Sequence, residues 1–166
     1  MTGPGYAKGT TVEVARSRAE IDSLLLKNGA SSVGILRDSE KSIAVVAFTI
    51  HGAKFRLEIP MPTMAEVEQA LTEVKPKRWW GWNEEEKGRY RQAELAQRER
   101  ERWRAILLLI KSKLEIVRIG LSSVEREFMA DLVLPGGQRA EVFFAEAIRR
   151  GLEAGDAAPM LGTGDD

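Results

Sequence analysis

The sequence predicts an α+β fold: a small antiparallel sheet of three or four strands, packed helices, one long helix, and a helical C-terminal unit. Three observations carry this expectation. The β-branched, almost unbroken apolar run Ser42–Ile50 is followed, after His51-Gly52, by the alternating segment Ala53–Ile59, which is the pattern of a hairpin. From Glu84 to Ile119 the chain has almost no strand signal and one internal glycine, Gly88, as a long helix requires. Ser/Thr residues followed three positions later by Glu recur at Ser17-Glu20, Thr63-Glu66 and Ser122-Glu125, each a signature of a helix start.

In chain order, residues 1–10 are Gly/Thr-rich and read as a flexible N-terminus, 11–154 as one domain, and 155–166 as a flexible acidic tail. Thr11–Val14 is expected to be a short strand. The Ser17-Glu20 capping box then opens a helix over Ser17–Asn28, with Ile21, Leu24 and Leu25 as its buried stripe and Asn28-Gly29 as its end. Ser32–Leu36 is the next strand, joined by the polar turn Asp38–Lys41 to Ser42–Ile50. That run is apolar at nearly every position, so it is expected to be a central strand covered on both faces by helices, the long helix or a second subunit. In Ala53–Ile59, Phe55, Leu57 and Ile59 alternate with Lys54, Arg56 and Glu58, describing a half-buried strand ended by Pro60 and Pro62.

The Thr63-Glu66 box opens a helix to about Val74, also expected on the sheet, and Gly120 caps the long helix of about 84–119. The Ser122-Glu125 box starts a shorter helix through Ala130. Leu132–Gly137 reads as strand and turn, and Glu141–Leu152 as a closing helix.

The chemistry that the sequence excludes is broad. The chain has no cysteine, so disulfides, thiolate metal sites and cysteine nucleophiles are ruled out. His51, the one histidine, lies at a predicted hairpin tip, and there is no phosphate-binding glycine motif. Asp38 and Glu58, near strand ends, are the carboxylates one would imagine as metal ligands, but no spacing compels it. The expectation is a protein that is not an enzyme, with no catalytic residues, no metal and no cofactor. No apolar run approaches the ~20 residues that span a bilayer, and the first residues lack the apolar core of a signal peptide, so a cytoplasmic protein without membrane contact is expected.

Charge is distributed unevenly. Net charge is zero, yet Lys75–Arg118 holds thirteen Lys/Arg against seven Glu, a surplus of six that the rest of the chain balances with a deficit of six. Such polarity fits an anionic partner. Within this region Trp103, Ile106, Leu107, Ile110, Leu114, Val117 and Leu121 recur at spacings of three and four, forming a core-facing stripe. Arg100, Arg104, Lys111 and Arg118 form a second stripe, able to contact successive phosphates, or else to pair with glutamates on a solvated face.

Trp79, Trp80 and Trp82 fall outside this period, in a loop beside Lys75, Lys77 and Arg78. They suit stacking on bases of single-stranded DNA, a protein-protein interface with a homo-oligomer or a host protein, or a plug over the core. The candidate nucleic-acid-binding residues are therefore Arg100, Arg104, Lys111, Arg118, Lys77 and Arg78, with Trp79, Trp80 and Trp82 as stacking or interface groups.

The segment Arg102–Glu115, RWRAILLLIKSKLE, resembles a recurring stretch, RWRALxLxIKxKLE, in uncharacterised proteins of bacteriophages and prophages. The likeness extends to VEVARSRAEIDSLLLKNGA, AVVAFTIHGAKFRLEIPMP and EFMADLVLPGGQ. The resemblance implies a phage origin and a life in the host cytoplasm, and brings no catalytic residues with it. The region around Trp79–Trp82 departs from the family pattern, where length and content vary.

Overall fold

The computed structural model describes residues 7–153. Strands β1 (Ser32–Asp38), β2 (Ile43–Ile50) and β3 (Ala53–Pro60) form an antiparallel sheet in the order β1-β2-β3. Both hairpin turns follow from local chemistry. Asp38 Oδ1 accepts the N–H groups of Glu40 and Lys41 at 3.0 Å, and His51 (φ 51°) with Gly52 (φ 80°) supplies two left-handed residues, as a two-residue hairpin needs.

The register aligns Val33 with Phe48, Ile35 with Val46, Phe55 with Phe48 and Leu57 with Val46, so one face gathers the large apolar side chains. Along β2, Ala44, Val46, Phe48 and Ile50 are buried, while Ile43, Val45, Ala47 and Thr49 are only partly so. The expected cover on both faces is thus corrected. Helices α1 (Val14–Lys27) and α3 (Glu84–Arg118) contribute to the core on the same sheet face, and none of Ile43, Val45 and Ala47 joins it. The apolar run overstated the burial because side chains on a central strand are partly shielded by in-plane neighbours without any covering layer.

Two expectations at the N-terminal side are also corrected. Thr11–Val14 is not a strand, and Ser17 does not cap: α1 begins at Val14, and Ser17 lies one turn inside, fully buried, its hydroxyl without a partner. Val14, Ser17, Ile21 and Leu25 extend the inward stripe by a turn, and burial of that stripe outweighs the cap. The helix leaves through Asn28 and Gly29 (φ 92°) as expected. Residues 7–10 are docked on α3: Gly9 N–H donates to Glu101 Oε1 at 2.7 Å, and Gln97 Nε2 donates to the Thr10 carbonyl at 3.1 Å. The remainder of the expected N-terminal segment, 1–6, and the expected acidic tail lie outside the described residues.

Helix α2 (Met64–Glu73) is capped by Thr63, whose hydroxyl accepts Glu66 N–H at 3.3 Å. It packs on α3 rather than on the sheet. Val67, Leu71 and Trp79 form a second core, with Met64, Trp82, Tyr90 and Leu95 around it. Helix α3 starts at a capping box that the sequence reading missed: Asn83 Oδ1 accepts Glu86 N–H at 2.9 Å, and Glu86 Oε2 accepts Asn83 N–H at 2.8 Å. Gly88 does not interrupt it. Trp103, Ile106, Leu107, Ile110 and Leu114 are buried as the periodicity requires. Leu121 is not part of the stripe: it follows Gly120 (φ 78°), which turns the chain out of the helix, and is 73% exposed.

The closing helix expected over Glu141–Leu152 is present, but the helix expected from the Ser122 box through Ala130 is shorter and less regular. Ser123, not Ser122, is the cap, and α4 (Val124–Glu127) is one turn followed by a 3-10 turn at Met129–Asp131. Between them Phe128, fully buried, sits edge-on to Phe48 at 5.2 Å and 5.9 Å from Phe55. Burying such a ring stabilises by about 1.5–3 kcal/mol and fastens this unit to the sheet. Leu132 bridges Phe55, and Val133 N–H donates to the Lys54 carbonyl at 2.8 Å, closing the outer edge of β3. After the turn at Gly136-Gly137, α5 (Ala140–Glu153) completes the described chain.

Candidate nucleic-acid interface

Helices α1 and α3 face each other through Ile21, Leu25, Leu107 and Ile110, and this contact sets a groove on their outer side. On α1, Arg16, Glu20, Ser23 and Lys27 recur at spacings of four, three and four, so they lie along one line beside the buried stripe. On α3, Arg104 and Lys111 stand seven residues apart, two turns or about 10.5 Å. These residues wall a groove of about 500 Å³ whose floor is Leu24, Leu107 and Leu108.

The groove holds four cations, Arg16, Lys27, Arg104 and Lys111, and one carboxylate, Glu20. Arg16 Nε donates to Glu20 Oε1 and Arg104 Nη1 donates to Glu20 Oε2, each at 3.1 Å. One acid thereby orders two guanidiniums without neutralising them both. Lys27 and Lys111 make no ion pair among the described residues and are exposed. An apolar floor lined by ordered guanidiniums and exposed ammonium groups is suited to an extended polyanion, whose phosphates displace counterions at the walls.

The structure brings together only part of the predicted set. Arg104 and Lys111 line the groove. Arg100, one turn earlier on the same face, directs Nε and Nη2 to Gln97 Oε1 at 3.2 and 2.6 Å, keeping its charge but not lining the groove. Arg118 is committed to Glu115 through Nη2 at 2.5 Å and Nε at 2.9 Å; this hydrogen bond raises the Arg118 guanidinium and lowers the Glu115 carboxyl from their ordinary values. Other basic residues of α3 are paired in the same way: Lys87 with Glu84, Arg89 with Glu85 and Arg98 with Glu94, while Glu99 holds Arg37. The surplus of charge along α3 is therefore smaller at its surface than in its sequence.

Lys77, Arg78 and the three other tryptophans are elsewhere. Trp79 and Trp82 pack against Tyr90, fourteen residues or about 21 Å along the helix from Arg104, so the Trp79–Trp82 turn and the groove are separate places. Within that turn the tryptophans divide. Trp79 is buried, 6.0 Å from Trp82 and 6.1 Å from Tyr90, with the Arg91 guanidinium 5.3 Å above its ring; Trp82 is half-buried against Tyr90 at 5.3 Å. Both are part of the second core. Trp80 is 81% exposed, with Lys75 Nζ 4.5 Å from its ring and Lys77 and Arg78 exposed beside it.

The sequence reading missed Arg16 and Lys27. Their spacing along α1 was legible, but the misplaced helix start hid Arg16, and nothing in one chain's order tells which helix faces which. A second depression of about 950 Å³, between residues 7–9, α2 and α3, carries Lys8, Arg98 and Arg102 against Glu66, Glu94 and Glu101, and so offers an anion no net attraction. His51 is exposed at the hairpin tip, with Nδ1 3.5 Å from Glu125 Oε1. Asp38 and Glu58 stand on the two edge strands, two positions out of line in the register and so about 12 Å apart, and Glu58 pairs with Arg56 and Arg139. Among the described residues no helix is long and apolar enough to cross a membrane, and no group of three or more acids or histidines could hold a metal ion. No protein-family model, curated protein or solved structure matches the chain.

Proposed function

We propose that this chain is a non-enzymatic nucleic-acid-binding accessory protein of phage DNA metabolism, acting in the host cytoplasm and favouring single-stranded DNA. The observation that carries the reading is the convergence of Arg16 and Lys27 from α1 with Arg104 and Lys111 from α3 around one groove that holds a single carboxylate. Four phosphate contacts to a single strand predict that log affinity falls with log salt with a slope of about −3. The test is anisotropy of a labelled single-stranded oligonucleotide across a salt series. In the Lys27→Glu/Lys111→Glu variant, binding weakens and the slope flattens by about one to two, while circular dichroism is unchanged because both side chains are exposed. Salt-insensitive binding, or none at micromolar protein, overturns the proposal.

A second reading rests on Trp80, an indole left in solvent beside Lys75, Lys77 and Arg78. Tryptophan and basic side chains dominate interface hot spots, so this turn would serve a protein-interaction module contacting a host protein. Trp80→Ala separates the two readings. It leaves both cores intact, abolishes retention of the host protein under the second reading, and leaves the salt slope unchanged under the first.

A further inference from the structure

Helix α5 is anchored at its first turn. Arg139, 14% exposed, is fixed by Glu141 at 2.8 Å and by Glu58 and Asp131 at 3.7 Å, and Ala140, buried, donates its N–H to the Leu132 carbonyl at 2.8 Å. Beyond that turn Phe144, Ile148 and Leu152 recur every fourth residue with Phe143 beside them, all 48–69% exposed. A helix of 14 residues that includes a glycine is marginal in water on propensity alone, so this apolar face requires a cover. The same chain has a second exposed apolar surface: on the outer sheet face Leu36 of β1 is 65% exposed opposite Val45 of β2, with Ile43 and Ala47 of β2 beside them, while Lys54, Arg56 and Glu58 of β3 form a polar margin.

We propose that the chain is a homodimer in which α5 of each copy lies on the outer sheet face of the other. The sizes agree, since α5 is about 21 Å long and an eight-residue strand about 26 Å. Each of these partly exposed side chains, two aromatic and two aliphatic, has about 100 Å² left to bury, so the four and the sheet surface they cover, counted twice by the two-fold exchange, give about 1,600 Å². That is the standard size of a specific interface, whereas α5 against α5 alone would reach only half of it. The exchange also makes a sandwich of each sheet, covering Ile43, Val45 and Ala47, which are only partly buried in a single copy.

The absence of cysteine makes the geometry directly readable. The full chain is expected to sediment as a dimer, and Ile148→Glu, at a site outside both cores, to convert it to a folded monomer. Mixed under oxidation, the single variants Leu36→Cys and Ile148→Cys are expected to form the mixed disulfide in preference to either self-linked product. Three results overturn the proposal: a chain that is monomeric at every concentration, Ile148→Cys linking mainly to itself, or the double variant Leu36→Cys/Ile148→Cys closing within one chain.

Discussion

Ser17 shows how one residue type serves two opposite roles. In the sequence, Ser17-Arg18-Ala19-Glu20 has the form of a helix start, where the hydroxyl would satisfy a backbone N–H and its loss would cost about 1 kcal/mol. In the fold the same hydroxyl is fully buried and unpartnered inside α1, so it carries a desolvation penalty of about 1–3 kcal/mol instead. Ser17→Ala is therefore expected to stabilise the protein by about 1 kcal/mol, read as a higher urea midpoint at unchanged slope. A lower midpoint would restore the capping role. Trp79, Trp80 and Trp82 teach a related point: three neighbours identical in type end in a core, in solvent and half-way between, and only Tyr90 and α2, contributed from elsewhere, decide which is which.

At the scale of elements, what the sequence made legible followed from periodicity and turn chemistry. The hairpins, the length of α3 and its buried stripe are all written in local spacing. Which helix meets which surface is not, and so the single-sided sheet, the docking of α2 on α3 and the groove between α1 and α3 had to come from the fold. The ends of α3 offer a test of local accounting. Asn83 completes a reciprocal cap, so Asn83→Ala is expected to cost about 1 kcal/mol. Gly88 has ordinary helical backbone and nothing within 4 Å of a built Cβ, so Gly88→Ala is expected to stabilise by about 1 kcal/mol. Thermal unfolding of the two variants, which should shift in opposite directions, checks both.

For the whole molecule, the carboxylates set a direction for stability against pH. Burial alone would raise Glu101, but hydrogen bonds from Gln97 and from Gly9 N–H, with Lys8 and Arg98 nearby, bring it below its ordinary value. A lowered folded value means that the stability it contributes is present above the ordinary glutamate range and is lost as pH falls toward that lowered value. Residues 8–10 should thus detach from α3 in acid, with loss of Gly9 amide protection in hydrogen exchange. Glu101→Gln should flatten this acid limb. Asp131 acts in the opposite sense, since burial raises it despite Lys113 and Arg139, so its contribution is present below the ordinary aspartate range and is lost as pH rises through its raised value.

The unequal burial of the tryptophans has an optical consequence. Trp103 and Trp79 are buried and are expected to emit at shorter wavelength, Trp82 lies between, and Trp80, open to water, is expected to supply the red edge of the emission and the fraction that iodide can quench. Because Trp80 lies in the turn packed at Tyr90 and the α1–α3 groove begins fourteen residues further along α3, a ligand's effect on that red edge reports which of the two places it occupies. The unmodified chain thereby carries its own spectroscopic address label.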